Sequence, residues 1–374
     1  MRSTHISALL ISLISVIPTS RVAAQEVPLV TITGKVTEAD SGAPLPGAHV
    51  FIASSMNGTT TDTDGVYVLE RVPVGALRLY VSMIGYEPEA RDMMLRTSAT
   101  RTVDFELKPT VVELGEVIVE AKRDKKWKER LERFTRLFIG ETPNAKETSI
   151  LNPEVLDFES SGGEFRAMAA EPLIIENRAL GYRIQYFLKE FVAEPRRTRY
   201  DGEPLYEELT PESPEEAEGW EQNRRNAFIG SFRHYLLALL AGRTDEQQFK
   251  TYARTVMGSG APGEMPGNPQ AGTRFPVDAA ELVDPGETPS EKILDFKGFT
   301  EITFMGEYED ESYLDWSLSG RRRPGFQTSW IRLERGPTVF DYKGDVLDPY
   351  GVTFYGYLAF ERVADEVPKE YRPR

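Results

Sequence analysis

The chain has no cysteine. It can carry no disulfide and no lipidated cysteine, and it offers no thiol nucleophile or thiolate metal ligand. Histidine is nearly as scarce. Of His5, His49 and His234, the first falls in the N-terminal leader, so the body of the chain has two. A zinc carboxypeptidase site needs a His followed by Glu at the third position and a distant second His. The third residues after His49 and His234 are Ile52 and Leu237. Nor is there a Gly-x-Ser-x-Gly elbow or a phosphate-binding Gly-rich loop. Beyond the leader no apolar run reaches the length of a membrane helix, roughly 20 residues. Basic residues are also under-represented: 44 Lys and Arg against 59 Asp and Glu give a formal charge of −15. That balance disfavours nucleic acid and anionic lipid as partners. The composition calls for no cofactor and no metal.

What is present begins with a leader. Arg2 precedes an apolar run from Ile6 to Ile17, and Val22-Ala23-Ala24 places small residues where a signal peptidase reads them. Cleavage after Ala24 is expected, giving an exported chain that is soluble or peripherally attached. Losing Arg2 and Arg21 leaves 42 basic against 59 acidic side chains, net −17. The remaining length suggests two domains or three.

From Val27 to about Pro109 the pattern is of short strands. Val30 and Ile32 alternate, Ala48 to Ile52 follows Pro44 and Pro46, and Asn57-Gly58 and Asp64-Gly65 are hairpin signals. Leu77, Leu79 and Val81 alternate with Arg78, Tyr80 and Ser82, and Val103, Phe105 and Leu107 repeat the pattern. Strands of this length and spacing predict a small antiparallel β-sandwich. Asp62-x-Asp64-Gly65 is half a calcium loop at most, because the Glu that would complete it is replaced by Pro73; a structural Asp-Gly turn is expected.

Specific residues here resemble the carboxypeptidase-regulatory-like domain, a prealbumin-type, Ig-like sandwich. They are Gly34-x-Val36, Pro44-Leu45-Pro46-Gly47-Ala48-x-Val50, Thr61-Asp62-x-x-Gly65-x-Tyr67 and Ile84-Gly85-Tyr86. The resemblance implies a non-catalytic module of the kind found beside metallocarboxypeptidases and at the start of outer-membrane receptors in Bacteroidetes-type bacteria. Leu114-Gly115-Glu116-Val117-Ile118-Val119 resembles the segment after this domain in TonB-dependent receptors. The repeated strands of a large membrane barrel do not follow. On this reading Leu114, Val117 and Val119 form a strand for pairing with a partner.

The organisation expected is a signal peptide at 1–24, a sandwich at 25–110, a connecting strand and amphipathic helix at 111–140, an α+β domain with an antiparallel sheet at 141–365, and a tail at 366–374. Trp127, Leu131, Phe134, Leu137 and Phe138 give the helix its apolar stripe. Ser213-Pro214-Glu215-Glu216 starts a second helix, and Phe232, Tyr235, Leu236 and Leu239 mark a third, ended by Gly242. A Gly- and Pro-rich loop spans 258–290, and Ile293–Tyr308, Trp330–Leu333, Val339–Tyr342 and Val352–Phe360 read as strands. Asn152-Pro153-x-Val155-Leu156-Asp157-Phe158, Pro172-Leu173-x-Ile175-x-Asn177-x-Ala179-Leu180-Gly181-Tyr182 and Trp220-x-x-Asn223-Arg224-x-x-x-x-Gly230-Ser231 resemble uncharacterised exported proteins with the same first domain, which implies a distinct module and no activity.

The candidate ligand site is a polar cluster of Glu176, Asn177, Arg178 and Tyr182 with Trp220, Asn223, Arg224 and Arg225. Amides and guanidinium groups hydrogen-bond a sugar or peptide while an aromatic ring stacks on it. The competing reading is a turn whose polar groups cap one another against a helix face packed by Trp220. His234, beside an apolar helix face, is expected to be structural. These features favour a non-catalytic exported envelope protein, periplasmic or outer-membrane associated, that binds a protein partner or envelope glycan. The alternatives are a hydrolase of an envelope or imported polymer, with the 258–290 loop as lid, and a periplasmic accessory of a TonB-dependent receptor.

Overall fold

A computed structural model describes residues 28–97, 99–110, 125–195, 197–254, 273–317 and 322–373. The leader and the segment holding Leu114, Val117 and Val119 lie outside the described residues. Among its described residues the N-terminal unit has eight strands: β1 (Leu29–Glu38), β2 (His49–Ile52), β3 (Gly58–Thr60), β4 (Val66–Pro73), β5 (Gly75–Ser82), β6 (Glu89–Leu95), β7 (Arg101–Thr102) and β8 (Phe105–Leu107). One sheet runs β3-β2-β5-β6; in the other, β1 lies between β4 and the short strands β7 and β8. Alternate residues such as Ile32, Val50, Leu69, Leu79 and Phe105 point inward and close the sandwich core. The pairing is antiparallel except along one edge of β1. The chain crosses over after β6, so β7 and β8 join β1 in parallel. Asp62 Oδ1 accepts the backbone N–H groups of Asp64 and Val66, which makes the Asp-Gly segment a turn.

A second layer centres on a long strand. β9 (Thr148–Ile150), β10 (Leu156–Ser161), β11 (Glu164–Ala169), β12 (Leu173–Asn177), β13 (Tyr182–Glu194) and β14 (Arg197–Glu208) form one antiparallel sheet. β14 lines one side of β13, while β11 and β12 share the other end to end. Helix α1 (Lys125–Phe138) covers one face because its apolar stripe carries Phe134 and Phe138, both fully buried. Phe134 meets Phe191 edge-on at 4.9 Å, and Phe138 meets Tyr186 at 4.8 Å.

The third layer holds α2 (Pro214–Phe228), α3 (Phe232–Ala241), β15 (Phe249–Arg254), β16 (Arg274–Pro276), β17 (Val283–Pro285), β18 (Glu291–Leu294), β19 (Phe299–Tyr308), α4 (Glu311–Trp316), β20 (Phe326–Leu333), β21 (Thr338–Asp341), β22 (Val352–Gly356) and α5 (Tyr357–Phe360). Ser213 caps α2 by accepting the Glu216 N–H, and Gly242 ends α3 in the left-handed region. The sheets are β16-β15-β19-β20-β22 and β17-β18-β21. The continuous strand expected over 293–308 is instead two strands in different sheets, separated by a turn at Gly298. Likewise 352–360 is a strand that becomes α5 at Gly356. Within the stretch expected as loop, residues 273–290 contain β16, β17 and a short 3-10 turn; residues 255–272 lie outside the described residues. Arg254 and Arg274 both bind buried Glu301.

The sandwich is fastened to both other layers. Phe51 and Tyr80 pack on Phe187 of β13, the Phe51–Phe187 centroids 4.7 Å apart. Arg78 forms a 2.7 Å ion pair with Glu203, beneath the Tyr350 hydroxyl. Asp341 Oδ2 accepts the Ala76 N–H at 2.8 Å, and Lys343 Nζ donates to the Ala76 carbonyl at 2.9 Å. Gly75 permits this approach: a side chain there would put Cβ 2.1 Å from Asp341 Oδ2. The C-terminal segment completes the assembly. Asp365 binds Thr142 and Asn144, the Lys369 N–H donates to the Ser54 carbonyl, and the carbonyls of Pro368 and Lys369 accept from Arg233.

Candidate functional site

The structure brings most of the predicted polar cluster together. Residues 177–181 form the turn between β12 and β13, and α2 lies against it. Asn177, fully buried, accepts the Leu180 N–H through Oδ1 and donates from Nδ2 to the Ala364 carbonyl, each at 2.9 Å. Asn223 donates to the Ala179 carbonyl at 2.9 Å. Arg224 donates to the carbonyls of Leu180 and Gly181 and pairs with Glu208 at 2.9 Å, its guanidinium 4.1 Å above the Tyr182 ring. Trp220 sits against Gly181, whose φ is +68°; a Cβ there would lie 2.2 Å from the indole. Burial pushes the Tyr182 hydroxyl pKa up. Arg178 and Arg225 stand exposed at the periphery. The buried polar atoms of this cluster are committed to one another and to the backbone, so it acts as a latch between the turn and α2.

One member leads elsewhere. Glu176 accepts from Arg178 at 2.9 Å and from Arg183 at 3.1 Å, and these bonds hold its carboxyl below the usual range. Strand alternation turns Tyr182, Ile184 and Tyr186 toward α1 and places Arg183, Gln185 and Phe187 on the opposite face. The sandwich covers that face at Phe187. Beside it opens a cleft of about 160 Å³ lined by Met56, Gly58, Arg183, Gln185, Leu205, Tyr206 and Glu207. Its floor is β13 and β14, where Arg183 lies opposite Glu207 and Gln185 opposite Leu205. Its wall is the β2–β3 hairpin. The Met56 N–H donates to both carboxylate oxygens of Glu370, at 3.2 and 3.3 Å, and Asn57 donates to the Glu70 carbonyl. The Nε–H of Arg183 has no acceptor.

The sequence cluster therefore included Glu176, at the rim of this cleft, but not the residues lining it. The available signal was the period-2 alternation of β13: with Tyr182 and Ile184 inward, Arg183 and Gln185 had to share the other face. Nothing local placed Met56 and Gly58 across from them, because those contacts join distant parts of the chain.

The two histidines sit in apolar surroundings. His234 Nδ1 accepts the Gly230 N–H at 3.1 Å and Nε2 bonds the Gln247 side-chain oxygen at 3.1 Å, so the ring is neutral with its proton on Nε2. Burial lowers its pKa, as it does for His49, which packs on Phe187. No group of three or more His, Cys, Asp or Glu suited to a metal ion occurs among the described residues. No helix among them is long and apolar enough to cross a membrane.

Comparison with known proteins adds an assignment for the first unit. The family described as CarboxypepD_reg-like domain matches residues 32–119. A TonB-dependent receptor, P39 of Formosa agariphila, is 39% identical over 88 residues, which span 24% of this chain and only 8% of the receptor. Among solved structures, the TIE protein of Bacillus anthracis aligns at 15% identity over 22% of this chain and 17% of its own, with a TM-score of 0.20. Catechol 1,2-dioxygenase of Acinetobacter sp. ADP1 aligns at 14% identity over 27% of this chain and 59% of its own, with a TM-score of 0.21. Scores this low carry no argument about either protein's chemistry. Residues 32–119 are a CarboxypepD_reg-like domain, of the type found in TonB-dependent receptors, joined here to an α+β body.

Proposed function

We propose that this chain is a non-catalytic exported protein of the bacterial envelope, in which sandwich and body act as one unit that binds a protein partner or an envelope glycan. The observation that carries this reading is the junction cleft. It is built from both units, its hairpin wall is tied to Glu370 through the Met56 N–H, and Arg183, Gln185 and Glu207 line it. Pockets at domain junctions are the common place for recognition. The receptor match supports an envelope location, and it also favours a second reading, that the bound partner is a TonB-dependent receptor.

The test is cross-linking in the native envelope, followed by purification of the chain and identification of what accompanies it, with a parallel screen of the purified chain against envelope glycans. Recovery of one reproducible envelope protein, or saturable glycan binding, supports the reading. A receptor as the cross-linked species selects the second reading. Turnover of a polymer that is lost on changing one acidic residue, with the fold intact, overturns both.

A further inference from the structure

Building on that reading, we infer that the junction cleft takes a single neutral sugar unit of a glycan, with Arg183, Gln185 and Glu207 binding its hydroxyl groups. Size sets the first limit. About 160 Å³ falls below the roughly 300–1,000 Å³ of pockets for drug-sized ligands. The cleft therefore fits one ring or one side chain, not an extended polymer.

Charge sets the second limit. The lining carries one cationic residue, Arg183, and one anionic residue, Glu207, so the site favours neither a carboxylate nor an ammonium ligand. It does offer both hydrogen-bonding senses: guanidinium donors from Arg183, a carboxylate acceptor from Glu207 and an amide with both from Gln185. That mixture on paired strands suits vicinal hydroxyls, each of which donates and accepts. Met56 and Leu205 supply an apolar wall for the C–H face of a ring, and a side chain at position 58 would press on Phe51 and Leu205 at 3.0–3.2 Å.

A peptide added as a strand is disfavoured. The edge of β14 at the cleft is already engaged, since the Tyr206 N–H donates to the Ser55 carbonyl and Ser55 bridges Leu205 in parallel. Glu370 acts here as a positioning residue, because it fixes the wall through the Met56 N–H and does not line the cleft.

The test is a titration of the full exported chain with neutral gluco-, galacto-, manno- and xylo-oligosaccharides by saturation-transfer NMR, repeated with Arg183→Ala, Gln185→Ala and Glu370→Gln. At least one series should bind, with affinity falling about tenfold or more in the first two variants and less in the third, while the urea unfolding midpoints stay close to that of the unmodified chain. Sugar binding that survives Arg183→Ala and Gln185→Ala overturns the inference and leaves the envelope-binding reading intact. So does a photo-cross-linker at position 185 that captures a protein while no neutral sugar binds. Failure of both sugars and cross-linking removes the inference and the reading together.

Discussion

The turn at 177–181 and the junction cleft are both rich in Asn, Gln, Arg and Glu, yet they differ in what those groups do. At the turn, Asn177, Asn223 and Arg224 are tied to backbone carbonyls or N–H groups within the protein. In the cleft, the side chains of Arg183, Gln185 and Glu207 line open space. Residue type does not separate a scaffold from a site; an account of each polar group's partner does. If that distinction is right, substitutions at the turn cost stability and substitutions in the cleft cost recognition.

The largest effect is expected at Gly181. Its φ of +68° disfavours any side chain, and the indole of Trp220 occupies the space a Cβ would need. Gly181→Val should lose roughly 3–4 kcal/mol in urea unfolding, or prevent folding. A loss below about 1 kcal/mol would show that α2 shifts easily and that the latch is loose.

Next comes the interface ion pair. Burial pushes the Glu203 carboxyl up to about 7, with the neighbouring Arg78 opposing that rise. A carboxyl whose folded value exceeds its unfolded value binds a proton more tightly when folded. Its contribution to stability is present in full below about 4.5 and is lost as pH rises through about 7. Asp365, buried in the C-terminal segment, and half-buried Glu366 are raised by desolvation to about 6 and about 7 and act in the same direction. Unfolding measured across this window should show the protein losing on the order of 2–3 kcal/mol from Glu203 between pH 5 and pH 8. Arg78, Tyr350, Tyr80, Asp201 and Lys369 face the same carboxyl. Glu203→Gln should flatten the profile; an unchanged slope would place the titration elsewhere.

Asn177→Ala removes one buried donor and one buried acceptor and leaves the Ala364 carbonyl and the Leu180 N–H without partners. The expected loss is about 2 kcal/mol. Hydrogen exchange should speed up at the turn and also at the C-terminal segment, because Ala364 belongs to it. Exchange confined to the turn would separate the latch from the tail.

Much of the fold was legible in the sequence because it rests on local signals. The Asp-Gly turn, alternation in β1, β5 and β8, the apolar stripe of α1 and the Ser213 cap each specify their element within a few residues. Breaks set by long-range pairing were not legible. Residues 293–308 alternate well enough for one strand, but β18 pairs with β21 and β19 with β15 and β20, so the chain must change sheets at Gly298. The turn cluster was legible as a gathering of polar side chains, since Asn177, Arg178 and Tyr182 are neighbours in sequence. Its character was not, because the partners that occupy Asn177 lie at Leu180 and, far along the chain, at Ala364. The cleft needs residues 56, 183 and 207 at once, and no periodicity links those three.

The smallest effect should be at the cleft floor, and it decides whether the comparison holds. Arg183 makes a half-exposed pair with Glu176, and pairs of that kind contribute roughly 0–1 kcal/mol. Removing the guanidinium also relieves an N–H that lacks an acceptor, which offsets part of that loss. Arg183→Ala should therefore change unfolding free energy by less than about 1 kcal/mol, and Gln185→Ala by no more. A loss above about 2 kcal/mol at Arg183 would mean that its pair with Glu176 braces the sheet as Asn177 braces the turn. The cleft would then be a packing gap between two fixed units, and recognition would have to be sought on another face.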